Sequence, residues 1–310
     1  MKSARLVTVI AVFAALLAPS AATAGIDEAT IQGRVTNTSG LGVESACVGL
    51  FVGDDVFDAT ETTVEGGFEF TVPSGDYLLY IADCIFTDYF AEWYDDVHPA
   101  EAADAAVISV GSGDVRVVDV VLADIFADVE KDTSFTDHII FIRDIGVTNG
   151  CGGNNYCPKD SVTREQMAAF LARMWRLFGG DCPDGPMPFV DVPLNSFAYD
   201  DIRCIVNLNL TTGTAADLYS PDDSVSRAQM AAFIARFWRA GGETCPDGVN
   251  PFGDVESTRY YHGDVICIFL LDITTGTSPN TFSPFDDVTR EQMAAFLSRL
   301  ARAIDALAPS

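Results

Sequence analysis

Three stretches of the chain share one pattern of apolar and polar positions. They begin at Asp160, Asp223 and Asp286, each 63 residues after the one before, and in each the apolar residues fall at i, i+3, i+4 and i+7. This spacing predicts an amphipathic helix with one apolar stripe. The stripes are Met167, Phe170, Leu171 and Met174, then Met230, Phe233, Ile234 and Phe237, then Met293, Phe296, Leu297 and Leu300. Because one such helix cannot bury its stripe alone, we expect the three to pack against one another.

The start of each predicted helix carries a capping box, in which a Ser or Thr is followed three residues later by Gln. The pairs are Thr163 with Gln166, Ser226 with Gln229 and Thr289 with Gln292. Before each of these helices the pattern predicts a shorter helix, such as 136–145. The short helices end at residues that tolerate the left-handed conformation, namely Gly146, Asn209 and Asp272.

An arginine occupies the first position of each long helix, where the helix dipole disfavours a cation. These are Arg164, Arg227 and Arg290. One interpretation is a salt bridge to the loop acids Asp160, Asp223 and Asp286. The other is an anion site, in which the guanidinium and the free N–H groups of the helix start bind a carboxylate or phosphate.

The residue pattern of the amino-terminal part of the chain predicts an all-β domain. Short β-rich runs cover 30–35, 47–52, 68–72, 77–82, 106–110 and 115–122, separated by Gly, Pro, Asn and Asp. Gly66-Gly67 and the segment 73–76 read as hairpin turns. About seven strands in roughly 100 residues suggest a small sandwich. The aromatic cluster of Phe86, Tyr89, Phe90, Trp93 and Tyr94 is either part of its core or a platform for sugar rings, and we favour the core.

The 63-residue unit resembles the surface-layer homology (SLH) domain. Each copy has an aromatic-x-Asp-Val opening, at Phe126, Phe189 and Phe252, then a Gly-containing turn, a loop proline and a Thr-Arg or Ser-Arg helix start. The loop prolines are Pro158, Pro221 and Pro284. The resemblance covers residues 126–304. The segment 67–77 is similar to the carboxypeptidase regulatory-like, transthyretin-like domain.

These resemblances imply a multidomain protein, an all-β sandwich followed by an all-α, pseudo-threefold trefoil. The expected divisions are a signal peptide at 1–24, the β-sandwich at 25–124, and repeats at 125–181, 182–244 and 245–310. They also imply that the trefoil grooves bind an anionic cell-wall polysaccharide. The implied ligand-binding residues are Arg164, Arg227, Arg290, Asp128, Asp191, Asp254, Gly150, Gly213 and Gly276. Gln166, Gln229 and Gln292 replace the usual family glutamate, so other family contacts transfer less directly.

The charge balance limits the classes of partner that the chain is expected to bind. The chain has 45 acidic and 18 basic residues, and the segment 25–125 contains only two cations, Arg34 and Arg116. Without a basic patch, nucleic acid and anionic membranes are disfavoured. The amino-terminal Lys2 and Arg5, followed by an apolar run and Ala22-Thr23-Ala24, predict a signal peptide and export, and no membrane insertion is expected. The SLH resemblance adds a cell-wall or cell-surface location. We expect no cofactor. Loosely bound calcium is one way to screen the acids, and a solvated acidic face is the simpler reading.

Eight cysteines in an exported chain predict four disulfides. Cys182–Cys204 and Cys245–Cys267 both span 22 residues and lie 63 apart, so we pair them. Cys151–Cys157 and Cys47–Cys84 are the remaining predicted pairs. A zinc site is disfavoured because the chain has no CxxC motif.

No catalytic motif is present: the chain has no GxSxG, HExxH or phosphate loop, and its three histidines lie far apart. The sequence therefore predicts a secreted, non-enzymatic protein, and the SLH resemblance implies that its repeats hold it non-covalently on the cell envelope. The alternative is a structural or adhesive surface protein whose repeats bind proteins. A glycan-active enzyme is a weaker third reading.

Overall fold

The computed structural model describes residues 28–84, 89–95, 104–131 and 133–307, and the predicted signal peptide at 1–24 lies outside them. The chain forms two compact units. The first contains the described residues up to Gly146 together with Gly150–Asn155, and the second contains Val147–Asn149 and the residues from Tyr156 onward. Within the described residues, no helix is long and apolar enough to cross a membrane.

The first unit is built on two β-sheets. Its strands are β1 (Glu28–Asn37), β2 (Ala46–Val52), β3 (Asp55–Glu61), β4 (Gly67–Pro73), β5 (Gly75–Asp83), β6 (Glu92–Trp93), β7 (Ile108–Val110), β8 (Val115–Val117) and β9 (Val120–Leu122). One sheet has the order β4-β1-β8, with β9 also paired to β1, and the other has the order β3-β2-β5-β6, with β7 paired to β5. β1 runs antiparallel to β4 and parallel to β8 and β9.

Alternating residues of both sheets form one hydrophobic core. In β4, Phe68, Phe70 and Val72 are buried while the residues between them are exposed, as expected for a strand with one wet face. They share the core with Ile31 of the same sheet and with Leu79 of the other. The aromatic cluster also belongs to the interior: Trp93 is 3% exposed and packs edge-on against Phe51 and Tyr80. Phe86 lies outside the described residues.

Two details of the predicted sheet were wrong. Gly66-Gly67 and the segment 73–76 do not close hairpins, because each connects a strand of one sheet to a strand of the other. The hairpin in this region joins β2 to β3 through Gly53, which has φ +60°. The run 115–122 divides into β8 and β9 between Val117 and Val120, where the Asp119 carboxylate accepts a hydrogen bond from the Arg34 amide. β3 and β6 were not predicted.

Helix α1 (Thr136–Asp144) belongs to this first unit and ends in a buried acid. Asp144 is 1% exposed, and its Oδ1 lies 3.3 Å from Nη1 of Arg143. Arg143 also donates to the carbonyl of Ala91 and stacks over Phe90. Burial raises the pKa of Asp144 to about 7, against the opposing effect of Arg143.

The second unit is helical. Its helices are α2 (Arg164–Leu177), α3 (Tyr199–Asn207), α4 (Arg227–Ala240), α5 (His262–Leu270) and α6 (Arg290–Asp305). The three predicted capping boxes are confirmed at the starts of α2, α4 and α6. The predicted left-handed helix ends are confirmed as well, with φ of +76°, +59° and +56° at Gly146, Asn209 and Asp272. α2 packs on α3, and α4 packs on α5.

Disulfides brace both units. Cys47–Cys84 ties the ends of β2 and β5, and Cys182–Cys204 and Cys245–Cys267 tie the loops before α3 and α5 to those helices. Cys151 and Cys157 are disulfide-bonded as well. These loops therefore stay attached to the helices that they precede.

Candidate functional site at the repeat junctions

The starts of the three long helices are joined by a closed ring of backbone hydrogen bonds. The amide of Val162 donates to the carbonyl of Val288, that of Val288 to Val225, and that of Val225 back to Val162, each at 2.9 Å. All three valines are fully buried. The ring closes because the three copies have equal length, so each helix start meets the next copy in the same register.

Each helix start also binds the loop of the following copy, and we call these places junctions. Junction 1–2 joins the start of α2 to the loop 219–223, junction 2–3 joins α4 to 282–286, and junction 3–1 joins α6 to 156–160. In each, the backbone amide of the helix-start arginine donates to a loop carbonyl at 2.9 Å, that of Asp223, Asp286 or Asp160. These bonds satisfy amides that have no partner within their own helix.

The side chains of the three arginines are buried in the junctions. Arg164, Arg227 and Arg290 are 3%, 4% and 3% exposed. Their Nε atoms donate to the carbonyls of Tyr219, Phe282 and Tyr156 at 2.7, 2.6 and 2.6 Å. Each guanidinium also lies over an aromatic ring of the same loop, with Cζ 4.6 to 4.8 Å from the ring centroid.

Burial lowers the pKa of Arg164 and of Arg227, while nearby acids such as Asp223 and Asp286 act in the opposite direction. Within the described residues, neither Arg164 nor Arg227 makes a salt bridge to an acid. Asp223 and Asp286 contribute backbone carbonyls to their junctions rather than carboxylates paired with these arginines. The cation at the helix start therefore has a task in the fold, because it links neighbouring copies. Whether it also binds a ligand stays a prediction.

The opening aspartates hold the loops in place. Asp191 accepts hydrogen bonds from the amides of Tyr219 and Ser220, and Asp254 accepts them from Phe282 and Ser283. Ser220 and Ser283 have φ of +56° and +57°, an unfavourable conformation for serine. The aspartates thus fix a strained loop turn, which was not foreseen from the sequence. Asp128, the corresponding residue of the first copy, is exposed.

The turn positions require glycine because the backbone there lies close to a loop carbonyl and to the ring of the opening phenylalanine. Gly150, Gly213 and Gly276 have φ near +80°. A Cβ on Gly213 would lie 2.4 Å from the carbonyl oxygen of Leu218 and 2.5 Å from the ring of Phe189. The space predicted for a ligand at this backbone is occupied by the opening phenylalanine of the same copy.

The accessible part of each junction is its rim, which the sequence analysis did not single out. Equivalent rim positions carry different residues in the three junctions. They are Glu165, Ser196, Phe197 and Asp222 in junction 1–2, Arg259, Tyr260 and Phe285 beside the buried Ala228 in junction 2–3, and Lys159 with Glu291 in junction 3–1. Aligning the copies and selecting positions that differ would have found them.

Comparison with known proteins agrees with the repeat pattern. The S-layer homology domain model matches residues 188–231 and 251–294. Two segments of the chain therefore resemble S-layer homology repeats. They correspond to the second and third copies of the 63-residue pattern, and the first copy is not among the matched segments.

Relatives include both surface-layer proteins and enzymes. The chain is 26% identical over 178 residues to an endoglucanase of Bacillus sp. (strain KSM-635), which is 56% of this chain and 18% of that protein. It is 22% identical over 167 residues to the surface-layer 125 kDa protein of Lysinibacillus sphaericus, covering 53% of this chain and 14% of that protein. It is 28% identical over 157 residues to S-layer protein EA1 of Bacillus anthracis, covering 50% and 16%. The matches thus span less than a fifth of these relatives. The repeats and these relatives point to the cell surface.

Proposed function

We propose that this protein is a non-catalytic component of the cell envelope, held there non-covalently because its repeats bind an anionic cell-wall polysaccharide. The observation that carries this proposal is the match of 188–231 and 251–294 to the S-layer homology domain, in a chain whose preceding copy makes the same buried junction contacts. In this proposal residues 125–181 are a third repeat, and the three copies form an α-helical trefoil. The sheets form a transthyretin-like sandwich that serves as a spacer or binding module.

The enzymes among the relatives do not argue for catalysis here. The match to the endoglucanase covers only 18% of that protein, and this chain has no GxSxG, HExxH or phosphate-loop motif. We therefore place the shared segment in attachment rather than in chemistry. A turnover assay on labelled wall fragments checks this, and release of soluble sugar would contradict it.

The binding test uses the full mature chain and cell walls of the organism that encodes it. We expect the protein to sediment with purified walls and with walls treated by protease, and to stay in solution when hydrofluoric acid has removed the wall polysaccharide. Bovine serum albumin in the same tubes controls for trapping. Loss of binding after protease treatment, with no loss after acid extraction, would favour the alternative of a surface protein that binds other proteins.

The arginines at the helix starts are poor sites for the first binding variants. Arg164, Arg227 and Arg290 are 3–4% exposed and connect neighbouring copies, so their replacement would weaken the junction whether or not it binds a ligand. Variants of the exposed rim separate binding from folding.

A further inference from the structure

We propose that the rim of junction 2–3, formed by Arg259, Tyr260 and Phe285, binds an acidic sugar of the wall polysaccharide, and that the other two rims do not. This inference rests on the proposed function and specifies which junction performs it. It comes from comparing equivalent positions within this one chain.

Two aromatic side chains are exposed at this rim. Tyr260 is 68% exposed and Phe285 is 70% exposed. Buried Tyr261 lies between them, with edge-on contacts of 5.1 Å to Tyr260 and 6.3 Å to Phe285. Exposed rings fixed by a buried neighbour are costly to leave in water. One face of a pyranose ring is covered by C–H groups, and such a face can stack on an aromatic ring.

A cation lies beside these rings. Cζ of Arg259 is 6.0 Å from the centroid of Phe285. Within the described part of the chain the hydrogen-bond partner of this guanidinium is Glu256, which binds Nε at 3.1 Å, so Nη1 and Nη2 remain for a ligand. Both members of this pair are about half exposed or more, at 48% and 63%. An exposed pair of this kind is weak and can yield to a ligand carboxylate.

The electrostatic surroundings of Tyr260 favour an anion as well. Burial raises the pKa of the Tyr260 hydroxyl, as Tyr261 and Asp264 do more weakly, whereas Arg236 and, to a smaller extent, Arg164 lower it. Two further cations therefore act at this rim, although the chain as a whole carries a net charge of −27. A carboxylate bound beside Tyr260 would be attracted by these cations and repelled by Asp264.

The rim of junction 1–2 has the opposite character. Glu165 takes the place of Ala228, Asp222 takes the place of Phe285, and Ser196 takes the place of Arg259. Burial and then Asp222 raise the pKa of Glu165, although a hydrogen bond from Ser196 lowers it. Two neighbouring carboxylates repel a third from the ligand, so this rim should not bind an acidic sugar.

The rim of junction 3–1 is already neutralised. Lys159 stands where Phe285 does in junction 2–3, and its Nζ binds Glu291 at 2.8 Å. The pair removes the free cation, and no exposed ring replaces it at position 159. Of the three rims, the one at junction 2–3 combines a cation with exposed aromatic faces.

The experiment measures binding of the full mature chain to purified wall polysaccharide, native and with its carboxyl groups reduced to alcohols. We expect Arg259→Ala and Phe285→Ala each to weaken binding about tenfold or more, and carboxyl reduction to weaken wild-type binding to the same extent as Arg259→Ala. The matched controls are Ser196→Ala and Asp222→Ala, the equivalent positions of junction 1–2. They should leave binding unchanged or slightly stronger. Thermal unfolding of the Arg259, Phe285 and Asp222 variants should stay within a few degrees of wild type, since these side chains are exposed. The same measurement controls for Ser196→Ala, because the partly buried Ser196 hydroxyl accepts a hydrogen bond from the Ala198 amide.

The outcomes separate this inference from the proposed function. If wild-type protein does not bind the native polysaccharide, the proposed function fails. If wild type binds and the junction 2–3 variants bind equally well, the proposed function stands and this inference is overturned. Equal loss from the junction 1–2 controls, or no effect of carboxyl reduction, also overturns it. A Glu165→Ala, Ser196→Arg, Asp222→Phe triple variant, which copies junction 2–3 at these positions, should add binding at junction 1–2 and gives an independent gain-of-function check.

Discussion

Junctions 1–2 and 2–3 are alike inside and opposite outside. In both interiors a buried arginine donates to a loop carbonyl and an opening aspartate fixes the loop. At the rims, Glu165 and Asp222 of junction 1–2 correspond to Ala228 and Phe285 of junction 2–3. The interior is constrained because a buried guanidinium must keep its partners. The rim is free to vary because exposed substitutions cost little stability. Differences between the copies are therefore where we look for function, and their shared residues report on the fold.

Among variants of the shared interior, we expect Arg227→Ala to have the largest effect on stability. We expect it to lower the free energy of unfolding by about 3 kcal/mol, because the carbonyl of Phe282 loses a charged donor and a buried volume is left empty. Urea unfolding measures the effect. Arg203→Ala is the control, since the Arg203 side chain is 44% exposed in an ion pair with Asp200, whose side chain is 75% exposed. It should cost less than about 1 kcal/mol. Equal effects would mean that the buried arginine does not hold the junction.

The turn glycine gives the next largest effect. Gly213→Ala should destabilise the protein by roughly 2–3 kcal/mol, because alanine disfavours a φ of +78° and its Cβ would meet the carbonyl of Leu218. Gly263→Ala is the control: no heavy atom lies within 4 Å of its Cβ position, at the second residue of α5. It should be neutral or slightly stabilising. A melting temperature of Gly213→Ala near that of wild type would contradict the crowding.

The first copy differs from the others at the end of its short helix. It has Asp144 there, and the equivalent residues of the second and third copies are Asn207 and Leu270. Burial raises the pKa of Asp144 to about 7. Below about pH 4 the Asp144 carboxyl is protonated in both the folded and the unfolded protein, so its burial causes no loss of stability through charge. As pH rises from about 4 to 7, the carboxyl ionises more readily in the unfolded protein, so the free energy of unfolding falls. The loss is complete above that range.

Asp144→Asn should therefore stabilise the protein at pH 8, by roughly 1–2 kcal/mol because the amide keeps part of the burial cost, and should give no gain near pH 4. Thermal melts at both values check this. Asp137→Asn, an exposed change on the same helix, should show no such pH-dependent gain. A gain of equal size at pH 4 would show that the charge is not the cause.

A single hydroxyl distinguishes the junction interiors. The hydroxyls of Tyr219 and Tyr156 donate to the carbonyls of Arg164 and Arg290 at 2.8 Å, whereas the third junction has Phe282 at this position. Tyr219→Phe should cost about 1 kcal/mol, the usual net contribution of a hydrogen bond. Phe282→Tyr is the reciprocal variant and should recover stability if the hydroxyl reaches the carbonyl of Arg227. Chemical denaturation resolves the effect, and a neutral Tyr219→Phe would remove the hydroxyl from the account.

Much of the helical part could be predicted from local pattern. The capping boxes, the apolar stripes and the left-handed helix ends depend on residues a few positions apart, so the sequence carries their cause directly. The sheets were harder to predict. The connections around Gly66 and Pro73 look like hairpins because turn residues are the same whether the chain returns to the same sheet or crosses to the other. That choice depends on distant strand pairing.

By itself, the sequence determined that equal copies would repeat at 63 residues, where their helices start, and which cysteines pair. Only the tertiary structure decided that the helix-start arginines are buried under the loops of neighbouring copies and that the rims carry the accessible chemistry. A side chain's exposure depends on contacts from residues more than fifty positions away, as between Arg164 and Tyr219. Local spacing cannot specify whether such a cation faces solvent or a carbonyl.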